Sequence, residues 1–207
     1  MGNIVFVGYS FVDDSILQKM IILAVKMDST VTLLKELNSK NTEAVIQQAD
    51  VVLLNTVINF DDVIKIVSLA EKYQIPTVFY TKNKMVHSKN QFYNIQYILL
   101  NEINTFEITQ IKVENQHEAK KAAKIIQDMG FLNVVITISN KGAFVLTDEE
   151  RSTFVLWKAH KFIESTKAMA AFNGGFIHAL SEKLSMLEAI KFANGVVTLS
   201  DGLHFYE

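Results

Sequence analysis

Short apolar runs rich in β-branched residues alternate with amphipathic segments along nearly the whole chain, and this alternation constrains the fold more than any other feature. The apolar runs are almost continuous, as in strands buried on both faces, and the intervening segments have apolar residues at helical spacing. Strands are predicted at Ile4–Val7, Val31–Leu34, Val51–Leu54, Thr77–Tyr80, Tyr97–Leu100 and Val134–Ile138. Helices are predicted at Ile16–Lys26, Glu43–Gln48, Val63–Tyr73 and His117–Met129. The pattern predicts a mostly parallel sheet covered on both faces, which is a three-layer α-β-α sandwich.

The last third of the sequence departs from strict alternation. A hairpin is predicted, with strands at Ala143–Thr147 and Thr153–Trp157 joined by a polar turn. Two helices follow, at Ala170–Lys183 and Met186–Thr198. The first contains Asn173-Gly174-Gly175, where each glycine costs about 1 kcal/mol relative to alanine. We interpret this segment as close packing against the sheet rather than as a ligand site.

The composition of the chain limits the classes of function and of partner that can be expected for it. The 207 residues contain no linker or repeat, so a single domain over 1–207 is predicted. A net charge of -2 gives no general attraction to nucleic acid or to a membrane surface, and neither is expected as a partner. The absence of cysteine excludes disulfides and thiolate zinc sites. The pattern of the first residues predicts a strand rather than a signal peptide, so a cytoplasmic location is expected.

Several segments occur in the order and spacing of one known family. They are Leu99-Leu100-Asn101-Glu102-Ile103-Asn104, Val135-Ile136-Thr137-Ile138-Ser139-Asn140-Lys141-Gly142, Glu164-Ser165-Thr166-Lys167-Ala168-Met169-Ala170-Ala171-Phe172-Asn173-Gly174 and Glu188-Ala189-Ile190-Lys191-Phe192-Ala193-Asn194. Together they resemble the C-terminal half of the ribokinase/PfkB carbohydrate kinases. The resemblance implies a ribokinase-like fold and an ATP-dependent sugar kinase that uses ATP and magnesium. The chain is shorter than a complete kinase of this family, and the segment expected to form the β-lid over the sugar is missing.

The resemblance also places the family's catalytic signature, and here the sequence departs from it. The position of the catalytic base, an aspartate in the family, is Ala170, which cannot accept a proton. A remnant of the anion hole for the transferred phosphate is expected at Lys167, Ala168, Met169 and Ala170. Met169 replaces a glycine, Asn104 replaces the glutamate of the Asn-x-x-Glu motif, and no metal site is predicted. No residue is therefore assigned as catalytic.

Other site residues are carried over from the same resemblance. The candidate nucleotide-binding residues are Asn101, Thr137, Asn140, Lys141, Gly142 and Asn194. Asp13 is the candidate sugar-binding residue, although the first 35 residues also resemble a later segment of the family. Three functions stay open: an inactive protein that binds a small molecule or nucleotide, an active kinase with a rearranged site, and a subunit that binds a protein partner or a second copy of itself.

Overall fold

The computed structural model of the chain describes residues 1–8, 15–35, 37, 39–55, 59–81, 92–138, 141–149, 151–157 and 165–200. All strands within these ranges belong to one eight-stranded sheet, and none forms a separate lid. The strands are β1 (Asn3–Val7), β2 (Thr30–Leu34), β3 (Val51–Asn55), β4 (Thr77–Tyr80), β5 (Tyr97–Asn101), β6 (Asn133–Ile138), β7 (Gly142–Leu146) and β8 (Ser152–Leu156). The predicted strands are confirmed to within one residue at each end.

Helices connect the parallel strands and complete the chain. They are α1 (Ser15–Lys26), α2 (Ser39–Gln47), α3 (Phe60–Lys72), α4 (Glu102–Thr109), α5 (Gln116–Gln127), α6 (Ser165–Ser181) and α7 (Met186–Ser200). No helix in these ranges is long and apolar enough to cross a membrane.

The strand order across the sheet is β2-β1-β3-β4-β5-β6-β7-β8. The six strands from β2 to β6 in this order are parallel, and β7 and β8 add an antiparallel hairpin to the far side. The chain runs from β1 outward to β2 and then returns to the other side of β1 with β3. In open α/β sheets, such a reversal of strand order opens a crevice at the carboxyl ends of the strands, where ligands bind.

Each face of the sheet packs against its own helical layer. One apolar cluster joins the sheet to the layer of α2, α3, α4 and α5, and a second cluster joins it to α1, α6 and α7. Phe79 of β4 lies in the first cluster, where its ring centroid is 5.5 Å from that of Phe92 and 5.7 Å from that of Phe131. The predicted three-layer sandwich is therefore confirmed.

Helix α6 lies between its two neighbours at very close range. A Cβ on Gly174 would lie 2.9 Å from the carbonyl oxygen of Met20 in α1, and one on Gly175 would lie 3.1 Å from Cα of Ala193 in α7. The predicted packing role of these glycines is correct, but their contacts are with the flanking helices. The prediction of contact with the sheet was wrong, because Phe172 and Phe176 occupy that face of α6.

The start of α6 also differs from the prediction. The helix begins at Ser165, five residues before the predicted start at Ala170. The prediction followed the glycine-containing turn of the family signature, whereas this sequence has Lys167, Ala168 and Met169, three good helix formers. Loss of the glycine allows the helix to extend through the signature.

Gly142 and Gly195 form a matched pair for a stability measurement. Gly142 has φ +154°, and a Cβ there would lie 2.1 Å from the Val155 carbonyl oxygen, so we expect Gly142→Ala to destabilise the fold by roughly 1–3 kcal/mol. Gly195 lies inside α7 with nothing within 4 Å of its would-be Cβ, so Gly195→Ala should stabilise by about 1 kcal/mol. Urea unfolding measures both; similar values for the two variants would contradict this description.

Candidate functional site at the carboxyl edge of the sheet

Polar side chains terminate the central strands at the edge where ligands bind in folds of this kind. Asn55 ends β3 and Thr81 follows β4, and both are buried. Asn101 ends β5 and lies in register with Thr137 of β6. The sequence analysis identified Asn101 and Thr137 but missed Asn55 and Thr81. The signal for the missed pair was a polar residue placed directly at the end of an apolar strand.

Asn101 has a structural role at this edge, as the N-cap of the following helix. Its side-chain oxygen accepts a hydrogen bond of 2.7 Å from the backbone N–H of Asn104, so it caps the N-terminus of α4. Its carbonyl oxygen accepts a second bond of 2.7 Å from the Thr105 hydroxyl. Asn104, at the position of the family's glutamate, is buried within this turn. The turn after β5 is thus held by its own side chains and is preformed.

Thr137 likewise serves the sheet. Its hydroxyl donates a 3.1 Å hydrogen bond to the carbonyl of Leu100, and the residue is buried. Gly142 begins β7 opposite Leu156, and the close approach of the Val155 carbonyl explains the glycine. Thr137 and Gly142, two of the predicted nucleotide-binding residues, lie at the carboxyl edge of the sheet, and each has a structural role there.

A cavity of about 510 Å³ opens beside this turn, between α4, the segment that joins α4 to α5, the end of β6 and Lys141 before β7. Ile103, Phe106, Val113 and Ile138 supply apolar walls.

Charged side chains line the rim of the cavity. Lys141 donates a 3.3 Å hydrogen bond to the Glu114 carbonyl. Lys112 forms an ion pair with the Glu114 carboxylate, and this hydrogen bond lowers the pKa of Glu114 and raises the pKa of Lys112. Glu102 also lies on the rim. The cavity therefore has apolar walls and a mixed charged rim, on which the Lys112 ammonium is paired with Glu114 and the Lys141 ammonium bonds a carbonyl oxygen.

The four residues of the predicted anion-hole remnant lie in the first turns of α6. Lys167 is exposed, whereas Ala168, Met169 and Ala170 are buried. Because the free N–H groups of an α-helix belong to its first turn, the amides of Met169 and Ala170 are inside the hydrogen-bonded ladder. Ala170 lies one turn before Gly174 and shares its face, which packs on α1.

The remaining predicted residues are not gathered at the cavity. Asn194 lies on α7, in the opposite helical layer, and its buried side-chain oxygen has no hydrogen-bond partner among the described residues. The side-chain oxygen and nitrogen of Asn173 in α6 are likewise buried and have no partner in that part of the chain. Asp13 and Asn140 lie outside the described residues. Within the described ranges, no three histidine or acidic side chains converge as a metal site.

Comparisons with known proteins agree on one family. The model of the pfkB family carbohydrate kinases matches residues 9–200. Ribokinase of Haemophilus influenzae is 30% identical over 167 residues, which are 81% of this chain and 54% of the ribokinase. The chain thus spans about half the length of the curated relatives it matches.

Solved structures show the same fold. The crystal structure of Sa239 superposes with a TM-score of 0.75 at 16% identity and covers 99% of this chain and 95% of its own. The Arabidopsis thaliana ribokinase complexed with ribose and ATP has a TM-score of 0.69 at 20% identity, covering 82% of this chain and 55% of its own.

Proposed function

Because the chain belongs to the pfkB family of carbohydrate kinases, we propose that it is a relative without phosphoryl-transfer activity that binds a nucleotide-like ligand at the carboxyl edge of the sheet. One observation carries the proposal: helix α6 runs uninterrupted through the position where a kinase of this family places its base and its anion hole.

The loss of chemistry follows from two properties of that helix. A kinase of this kind needs a carboxylate that accepts the proton of the sugar hydroxyl, and Ala170 supplies none. The anion hole needs amide N–H groups directed at the transferring phosphate, and those of Met169 and Ala170 bond within the helix. Removing a general base alone costs about 10²- to 10⁴-fold in rate.

The proposed binding rests on the cavity beside α4. Its volume of about 510 Å³ lies within the range of small-molecule sites, roughly 300–1,000 Å³. The apolar walls of Ile103, Phe106 and Val113 suit a flat ring such as a purine. Lys141, whose ammonium group bonds a carbonyl oxygen, suits the negative charge of phosphates, whereas Lys112 is already paired with Glu114. A nucleotide combines these two properties in one molecule.

Two measurements test binding and chemistry separately. ATP binding is followed by calorimetry with and without magnesium, and ATP at 100 times its Kd should stabilise the fold by about 2.7 kcal/mol. Lys141→Ala should weaken ATP binding by about tenfold, since a charged hydrogen bond is lost, whereas Lys121→Ala on the exposed side of α5 should not. ADP release from ATP with ribose should stay at background. Absence of ATP binding, or steady ADP release that depends on ribose, would contradict the proposal.

A second function is favoured by the 30% identity to a ribokinase: an active or weakly active ATP-dependent sugar kinase with a rearranged site. Its base would come from the residues outside the described ranges, such as Asp13. Ribose-dependent turnover that disappears in Asp13→Asn would support this second function, whereas turnover that survives this change would exclude Asp13 as its base.

A further inference from the structure

A second cavity lies at the opposite edge of the sheet, where the amino ends of β5 and β6 meet the β7–β8 turn and the first turn of α7. Its volume is about 680 Å³, again within the range of small-molecule sites. Tyr97, which lines it, begins β5, whereas Asn101 ends that strand at the carboxyl edge. Four residues of extended chain separate the two by about 13 Å, so this cavity is distinct from the proposed nucleotide site.

The cavity has an apolar floor and a rigid aromatic wall. Leu132, Val145, Met186 and Ile190 supply the floor. The Tyr97 ring packs edge-to-face on Phe176 of α6, with centroids 5.5 Å apart, which fixes its orientation.

The described part of the β7–β8 turn, residues 147–149 and Arg151, forms the charged side of the cavity, and Thr147 and Asp148 are anchored to the sheet. The Asn133 side-chain oxygen accepts a 3.3 Å hydrogen bond from the backbone N–H of Asp148. The Gln127 side chain donates a 2.8 Å bond to the Thr147 carbonyl and a 3.0 Å bond to the Leu132 carbonyl. These bonds hold the turn in place, so the wall is preformed for a ligand.

The charges around the cavity leave one carboxylate without a counter-charge. Arg151 forms an ion pair with Glu149. The amino end of α7 is capped by Glu188. Its carboxylate accepts hydrogen bonds of 2.6 Å from the hydroxyl and 2.9 Å from the backbone N–H of Ser185. Asp148 has no cationic partner within the described part of the chain.

The surroundings of Tyr97 place the charge of Asp148 close to the cavity. Burial raises the pKa of the Tyr97 hydroxyl, and the negative charge of Asp148 raises it further. An aromatic side chain beside a carboxylate that has no cationic partner in the described residues is a combination that can receive an ammonium group with an apolar body.

We propose that this amino-edge cavity binds a small organic cation, an amine whose ammonium group pairs with Asp148 and whose apolar body lies on the floor beside Tyr97. The cavity is concave and of small-molecule size, and Arg151, the positive side chain among its described lining residues, is already paired with Glu149. Binding here is independent of the nucleotide site at the other edge.

The test uses three probes of similar size and different charge: phenethylammonium, 2-phenylethanol and 3-phenylpropanoate. Affinity is measured by NMR titration of the full chain, with the amide signals locating the site. We expect phenethylammonium to bind most tightly and to shift the signals of Thr147, Asp148 and Ser185. Asp148→Asn, which retains an acceptor for the Glu149 N–H, should weaken this binding by about fivefold.

Asp61→Asn, in the exposed first turn of α3, is the matched control and should leave the affinity unchanged. Equal affinity for the three probes, preference for the anion, or undiminished binding by Asp148→Asn would overturn the proposal. So would shifts confined to the residues around Lys141 at the opposite edge.

Discussion

Ala170→Asp, which restores the family's base at its position in the sequence, should lower the free energy of unfolding by roughly 3–5 kcal/mol and should not restore kinase activity. Ala170 is fully buried, and its face of α6 packs on α1. An aspartate there would be an uncompensated charge in an apolar helix interface, and the fold would have to open or the carboxyl would have to stay protonated. Urea unfolding measures the loss, and ADP release with ribose measures the activity.

Ala170→Asn separates charge from size in this experiment, because asparagine has nearly the same shape as aspartate and no charge. We expect it to be less destabilising than Ala170→Asp at pH 7, with the difference shrinking as the pH falls and the aspartate protonates. An Ala170→Asp protein as stable as the parent, or one that phosphorylates ribose, would show that Ala170 faces the site and not α1.

Phe79→Ala should destabilise the protein by a similar amount, roughly 3–5 kcal/mol. Phe79 is 2% exposed and packs against the stacked rings of Phe92 and Phe131, so its removal leaves a cavity that a rigid sheet cannot close. The measurement is urea unfolding at constant m-value. Phe106→Ala is the control: this ring is 45% exposed, and its loss should cost about 1 kcal/mol or less. Equal losses for the two variants would contradict the described core.

The strands of the sheet were predicted well because each is a short, continuous apolar run. Such a run is typical of a strand buried on both faces, and its bounds are easy to recognise in the sequence. Predictions of helix starts were poorer where polar residues open the helix. Helix α2 begins at Ser39 rather than at the predicted Glu43, because Lys40, Asn41 and Thr42 give no apolar periodicity. The start of α6 was missed for a different reason, since a motif borrowed from relatives was given more weight than the helix propensity of Ala168 and Met169.

The site was predicted only in outline. Asn101 and Lys141 were named as candidates only through the family resemblance, and the structure places both at the carboxyl edge of the sheet. The hydrogen bond from the Thr137 hydroxyl to the Leu100 carbonyl depends on the register of β5 and β6. No local sequence pattern encodes that register. The amino-edge cavity is formed by segments far apart in sequence, such as Tyr97 and Met186, and it became visible only in three dimensions.

The position of α6 between α1 and α7 determines when the protein can acquire its structure during synthesis. Contacts such as that between Met20 and Gly174 join residues about 150 positions apart, and at about 5–20 residues per second the ribosome needs roughly 10–30 s to make that interval. Until α6 has been synthesised, the apolar surfaces of α1 and β1 that it buries in the folded protein remain exposed. The part of this face that α6 later covers is therefore exposed in the nascent chain throughout that interval, when chaperones or aggregation compete for it.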